Sequence, residues 1–313
     1  MSIESVSGNQ AIFLDDLLVK TSRTFALSIP ALPEPTRTEV SVAYLLFRIA
    51  DTLEDATLWT PKKMIDQLHQ LIDLLDKPDQ DQARRLAEGW LGDPPLEHAG
   101  YLELLGELPG VMNACQGLAT SANELVRTHT RRTAEQMARF VERCRERSDL
   151  QLSNLADLKK YCYAVAGIVG EMLTELFLLD RPNLADIASE LRNRASTFGE
   201  ALQLVNILKD SSGDAVEGRR YLPRDVNAGQ VFALARSDLE SAKQYVNLLR
   251  QAGAERGIVE FCALPVLLAW ATLGRVEREG SGAKLTRPEV REIVIGLGEA
   301  LDRGLPVIHA LER

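Results

Sequence analysis

Apolar residues recur at three- and four-residue spacing in long blocks over nearly the whole chain, and strand-like alternation bounded by Asn-Gly or Asp-Gly turns is missing. A chain with that period buries stripes on helices, so the expected fold class is all-α. The helical blocks fall at about 36–55, 61–77, 100–128, 131–146, 155–178, 184–211, 235–252, 255–275 and 288–312. Pro30, Pro33 and Pro35 break one helix before the block at 36. Thr286-Arg-Pro-Glu289 has the form of a capping box with Pro in the first turn, which fixes the start of the last helix. The stretch from Lys77 to His98, with its prolines and charges, reads as a surface connection carrying one short helix. Asp210 to Pro223, rich in Ser, Gly and charge, reads as a loop with a mobile tip. Helical periodicity resumes on both sides of each without a change of composition. One domain spanning 1–313 is therefore expected.

Two acidic motifs stand out. On the helix that ends at Asp55, Tyr44, Arg48, Asp51 and Asp55 are spaced four, three and four apart and share one face. Gln203, Asn206, Asp210 and, if the helix continues, Asp214 repeat the design at spacings of three, four and four. Both clusters lie near helix C-termini, where the macrodipole is negative. An exposed carboxylate there loses about 0.3–1 kcal/mol, and like charges at i,i+4 lose about 0.2–0.5 more. A single Asp-x-x-x-Asp is most often a solvated helix end. Two copies, each sharing a face with polar partners, point instead to a bound cation. Carboxylates without His or Cys suit a hard ion completed by water and phosphate oxygens, which means Mg²⁺. Gly213 disfavours helix by about 1 kcal/mol against Ala, so Asp214 is expected to be less firmly placed than Asp51 and Asp55.

The net charge of −9 and the absence of a basic stretch argue against a nucleic-acid partner. Cys115, Cys144, Cys162 and Cys262 are widely spaced, so reduced thiols in a cytoplasmic protein are expected rather than a zinc site. The N-terminus lacks the charged and apolar regions of a signal peptide, and no uninterrupted apolar run approaches the ~20 residues of a membrane span. His69, His98, His129 and His309 share no face and read as surface or packing residues, and there is no Gly-x-Ser-x-Gly elbow to support a hydrolase.

Ser22-Arg-Thr-Phe25, Tyr44 to Asp55, Tyr161-Cys-Tyr-Ala-Val-Ala-Gly-Ile-Val-Gly170 and Asn206 to Pro223 resemble, in order and spacing, the squalene/phytoene synthase family, with matches from about Ser22 to Arg287. The resemblance implies an isoprenoid-synthase helical bundle with a central apolar cavity, with the two aspartate motifs facing each other across its mouth. It implies prenyl diphosphate substrates, and metal ligation by Asp51, Asp55, Asp210 and Asp214. Arg23, Arg48, Lys209 and Arg219 would contact diphosphate, with Gln203 and Asn206 nearby. Tyr161 matches the tyrosine assigned to acid/base work, and Tyr44 joins it in the catalytic set. An allylic cation must be kept from water, so an apolar wall is needed. The helix at 161–178 supplies one, with room at Ala164, Ala166, Gly167 and Gly170 and bulk at Val165, Val169, Met172 and Leu176. Close helix packing explains the same Gly/Ala pattern equally well.

Within that family, Asp51-Thr-Leu-Glu-Asp55, Phe261-Cys-Ala-Leu-Pro265 with Ala271-Thr-Leu273, and Ala283-Lys-Leu-Thr-Arg287 look more like squalene synthases. That likeness implies coupling of two farnesyl diphosphates through presqualene diphosphate, then reduction by NADPH, with Lys284 and Arg287 at the cofactor end. Gly218-Arg-Arg-Tyr-Leu-Pro223 is closer to the phytoene synthase ending. Phytoene, dehydrosqualene or hydroxysqualene formation without NADPH is the alternative. A non-catalytic assembly factor is disfavoured, because all four aspartates are present. The chain stops at Arg313 without the C-terminal anchor of eukaryotic squalene synthases. A soluble, monomeric, bacterial-type cytoplasmic enzyme is expected, touching a membrane to release its product. Gly280-Ser-Gly282 has no strand before it, so no dinucleotide fingerprint is implied.

Overall fold

The structure, a computed structural model, describes residues 3–22, 24–147, 150–179, 181–216, 219–223 and 226–308; the side chains of 3–9, 144–147, 150–151, 214–216 and 219–220 are not described. The chain is all-α, and among the described residues one two-residue parallel pairing, Leu150–Gln151 with Arg219–Arg220, departs from helix. It divides into two compact units, Met1–Glu146 and Arg147–Arg313.

In the first unit, α1 (Ile3–Thr21) and the single turn α2 (Phe25–Ser28) precede α3 (Thr36–Glu54). Leu45, Leu46, Ile49 and Leu53 are completely buried, so α3 is the spine of this unit. It packs against α1, α4 (Pro61–Asp76), α6 (Ala99–Gly106) and α7 (Leu108–Gln116). Between α4 and α6 lies α5 (Gln80–Gly92), which is longer and more buried than the expected surface connection. Ala83, Leu86, Ala87 and Trp90 recur at helical spacing among the charges and are buried, and the Trp90 indole donates to Gln67 Oε1 at 2.7 Å. The expected block at 100–128 is broken at Gly106 and Gly117, and α8 then runs unbroken from Thr120 to Arg147.

In the second unit, α9 (Leu155–Cys162) passes through one π-helical turn (Tyr163–Gly167) into α10 (Ile168–Leu179). A 3₁₀ turn, Pro182–Ile187, leads to α11 (Ala188–Val216), against which α9, α10, α12 (Ala228–Gln251) and α13 (Arg256–Glu279) all pack; α14 (Arg287–Asp302) lies on α13. The start of α12 is fixed by a capping box between Asn227 and Gln230, seven residues earlier than the expected 235. The box at Thr286–Glu289 forms as expected. The helix α11 continues to Val216, which corrects the expected loop from Asp210.

The Gly/Ala pattern of α9–α10 resolves as close packing at Gly170. A Cβ on Gly170 would lie 2.0 Å from the Ala195 carbonyl oxygen, and one on Gly199 would lie 2.0 Å from that of Ala166. Reciprocal glycines thus let α10 and the π turn touch the α11 backbone. The helical runs Leu155–Leu179 and Arg256–Glu279 each contain a stretch long and apolar enough to cross a bilayer. More than half of each apolar window is buried, so they also fit the pattern of core helices. Cys115, Cys162 and Cys262 are buried free thiols, and burial pushes Cys115 up to about 11.

Candidate active site

The face of α3 predicted from spacing forms a connected polar cluster. Arg48 donates through Nη1 to Asp51 Oδ2 at 2.5 Å, and through Nε and Nη2 to the Tyr44 hydroxyl at 3.3 and 3.2 Å. The Tyr44 hydroxyl in turn donates to the Thr21 carbonyl at 2.9 Å, which ties the face to the end of α1. Above the guanidinium lie the rings of Tyr44 and Tyr101, 5.5 and 5.6 Å from its carbon. Tyr101 is brought there by α6, which starts against α1: a Cβ on Gly100 would sit 2.5 Å from the Lys20 carbonyl oxygen. His98, exposed, caps α6 and stacks on Tyr101 with ring centroids 4.1 Å apart, within the surface or packing role expected of the histidines. Burial works against the charge on Arg48, but Asp51 and the Tyr44 and Tyr101 hydroxyls outweigh it and hold its pKa above the ordinary value. Asp55 caps the C-terminus of α3, its N–H donating to the Asp51 carbonyl at 2.9 Å.

The corresponding face of α11 is also polar. Lys209 Nζ lies 3.1 Å from Asp210 Oδ2 and donates to Asn206 Oδ1 at 3.3 Å. Asn206 is exposed, and Gln203 and Asp210 are half-buried. Because α11 stays helical to Val216, Asp214 follows Asp210 by one turn on the same helix, although its side chain is not described. Support from outside the helix accounts for that continuation. A Cβ on Gly213 would meet no atom within 4 Å, but the turn before it is held from outside: the Ser212 N–H donates to the Ser281 hydroxyl, and the Gly282 N–H donates to the Lys209 carbonyl. Hydrogen bonds of about 0.5–1.5 kcal/mol each exceed the ~1 kcal/mol that Gly213 loses. Arg23 and the side chain of Arg219 lie outside the described residues.

Tyr161, at the end of α9, is buried, and its ring stacks on Tyr221 with centroids 4.8 Å apart. Tyr221 follows the short strand at Arg219–Arg220, within the sequence stretch that carries the resemblance, but its partnership with Tyr161 is not legible there. Lys284 and Arg287 are exposed, three residues apart, at the entry to α14, and neither forms an ion pair among the described residues. The Lys284 carbonyl accepts from Arg275 Nη1 at 3.1 Å.

Oxygen donors without His or Cys fit a hard cation. Among the described residues no three carboxylate, His or Cys groups gather as a cage, so each motif could supply only part of the coordination. Two exposed cations at a helix entry likewise suit a phosphate-bearing cofactor such as NADPH.

The squalene/phytoene synthase family pattern matches residues 18–232, more than half of the chain. The chain belongs to this family. Squalene synthase of Schizosaccharomyces pombe is 26% identical over 284 residues, covering 84% of this chain and 58% of that protein. The human squalene synthase is 28% identical over 275 residues, covering 82% of this chain and 61% of that protein. The chain thus spans about three fifths of the length of these curated relatives. The solved complex of TcSQS with a ligand superposes with a TM-score of 0.73 at 24% identity, over 91% of this chain and 85% of that one, which establishes the shared all-α fold.

Proposed function

We propose that the chain is a Mg²⁺-dependent prenyltransferase that condenses two farnesyl diphosphates head to head through presqualene diphosphate, and reduces the product to squalene with NADPH. The observation that carries this reading is the α3 cluster, in which one guanidinium is fixed by Tyr44, stacked under two rings and paired to a motif aspartate. Bound Mg²⁺ would supply the charge neutralisation that makes diphosphate a competent leaving group. Arg48 would bind diphosphate oxygens, its orientation set by Tyr44, and exchange part of its hold on Asp51 for the substrate. Lys209, with Asn206 and Gln203, would do the same from α11, and Asp51, Asp55, Asp210 and Asp214 would hold the metal. The phenolic oxygen of Tyr161 would act on the one proton that is released, along with diphosphate, as presqualene diphosphate forms, with Tyr221 fixing its ring. Lys284 and Arg287 would contact the cofactor phosphate. The enzyme would act as a cytoplasmic monomer that meets a membrane when its oily product leaves.

A second reading, phytoene, dehydrosqualene or hydroxysqualene formation without NADPH, is favoured by Gly218 to Pro223, which is closer to the phytoene synthase ending. Product analysis separates the two. The protein is incubated with farnesyl or geranylgeranyl diphosphate and Mg²⁺, with and without NADPH. Squalene formed only with NADPH supports the first reading, and phytoene from the C20 substrate overturns it. Asp51→Asn and Asp210→Asn are each expected to abolish turnover with an unchanged helical circular dichroism signal. Substantial activity in either variant would contradict the metal role.

A further inference from the structure

The connection from α13 to α14 turns on Gly280-Ser281-Gly282. Both glycines have positive φ, +90° and +89°, a conformation that side-chain-bearing residues rarely adopt. This backbone delivers Ser281 to α11. Its hydroxyl donates to the Lys209 carbonyl at 3.2 Å and accepts from the Ser212 N–H at 2.9 Å and from the Ser211 hydroxyl at 3.0 Å. The Gly282 N–H adds a bond to the same Lys209 carbonyl at 2.7 Å. The Ser211 hydroxyl shares its one proton between Ser281 and the Leu208 carbonyl, 3.2 Å away, so the bonds that Ser281 makes to the backbone at Lys209 and Ser212 are its firm hold on α11. The residues it grips, Lys209, Ser211 and Ser212, bracket Asp210.

We propose that Ser281 is a positioning residue for the second acidic motif, fixing the helical turn that carries Asp210 and leads into Asp214 and so setting how firmly that motif holds a divalent cation with diphosphate. This role rests on the reading of that motif as a cation–diphosphate site. The turn it clamps is the weak point of α11. Two like charges sit at i,i+4 near a helix C-terminus, and Gly213 stands between them in open space. Both carboxylates must nevertheless keep a fixed spacing if they are to share one ion with a diphosphate. A loop that inserts a hydroxyl into the backbone ladder just before Gly213 supplies that rigidity from outside the helix.

The test uses Mn²⁺ as the probe ion with inorganic diphosphate, and electron paramagnetic resonance of free Mn²⁺ on the full chain. D210N is expected to lose diphosphate-dependent binding. S281A is expected to weaken it about fivefold to tenfold, the effect of losing one or two net hydrogen bonds, while circular dichroism and Tm stay near wild type. S281T keeps the hydroxyl and is expected to bind nearly as well as wild type. Unchanged affinity in S281A, where D210N has lost binding, overturns the role of Ser281 and leaves the site standing. Unchanged affinity in D210N overturns the site itself. Should S281A fail to fold, S281C, which keeps the volume but replaces the hydroxyl with a weak donor, takes its place. Wild-type affinity in folded S281C likewise overturns the role of Ser281.

Discussion

Arg48 shows how much one side chain is asked to do. It is a cation that must remain oriented in a partly dry site, and Tyr44, Asp51 and two aromatic faces share that task. A lysine keeps the charge but cannot reach Asp51 and the Tyr44 hydroxyl together through a planar fork. Steady-state turnover of R48K is therefore expected to fall about 10- to 100-fold, and that of R48A about 100- to 1,000-fold. Wild-type turnover in R48K would show that orientation is unimportant. Tyr44, Arg48 and Asp51 are legible from sequence, because i,i+3 and i,i+4 neighbours meet on any helix. Tyr101, the Thr21 carbonyl, Tyr221 and Ser281 are not. Each reaches its partner from an element distant along the chain, and periodicity carries no information about such meetings.

At the scale of elements, the second unit is organised by how closely α10 and the π turn approach α11. Gly170 and Gly199 meet carbonyl oxygens of the facing backbone, not flexible side chains, so neither position can absorb a methyl group by a rotamer change. Gly170→Ala is expected to destabilise by about 1–3 kcal/mol or more, as overpacking does. Calorimetry should show a clear drop in Tm, whereas Gly213→Ala, in open space, should raise or hardly change it. An unchanged Tm for Gly170→Ala would mean that α10 and α11 are not in backbone contact. The helix α14 begins where its capping box says it should, because both halves of that signal lie within four residues. The α5 stripe and the end of α11 depart from expectation, because charges between the apolar positions mask the first and a distant loop supports the second.

For the whole molecule, a buried acidic group sets a pH dependence of stability. Asp238 on α12 is buried, and its Oδ2 has no hydrogen-bond partner among the described residues. Burial raises its pKa from 3.8 to about 6, opposed by Lys159. Glu200 on α11 is raised as well, by burial and by Asp238, with Ser196 and Lys159 opposing. A carboxyl whose folded pKa lies above its unfolded value stabilises fully below the unfolded value and loses that contribution as pH rises through the folded one. Urea unfolding should therefore show D238N gaining on wild type between about pH 4 and pH 7, by about 1–2 kcal/mol once solvent screening is allowed for. A difference that does not vary with pH would show that Asp238 ionises freely. What the sequence determines by itself is the all-α class, the limits of α3 and α4, the start of α14, and the acidic faces of α3 and α11, because helix period, caps and face-sharing are set by residues within a few positions of one another. Only the tertiary structure decides that Gly170 serves packing, that α11 runs on past Gly213, and that Ser281 and Tyr221 stand beside predicted site residues. Those outcomes depend on backbones and side chains far apart in the chain coming within hydrogen-bond or van der Waals reach, which local patterning does not encode.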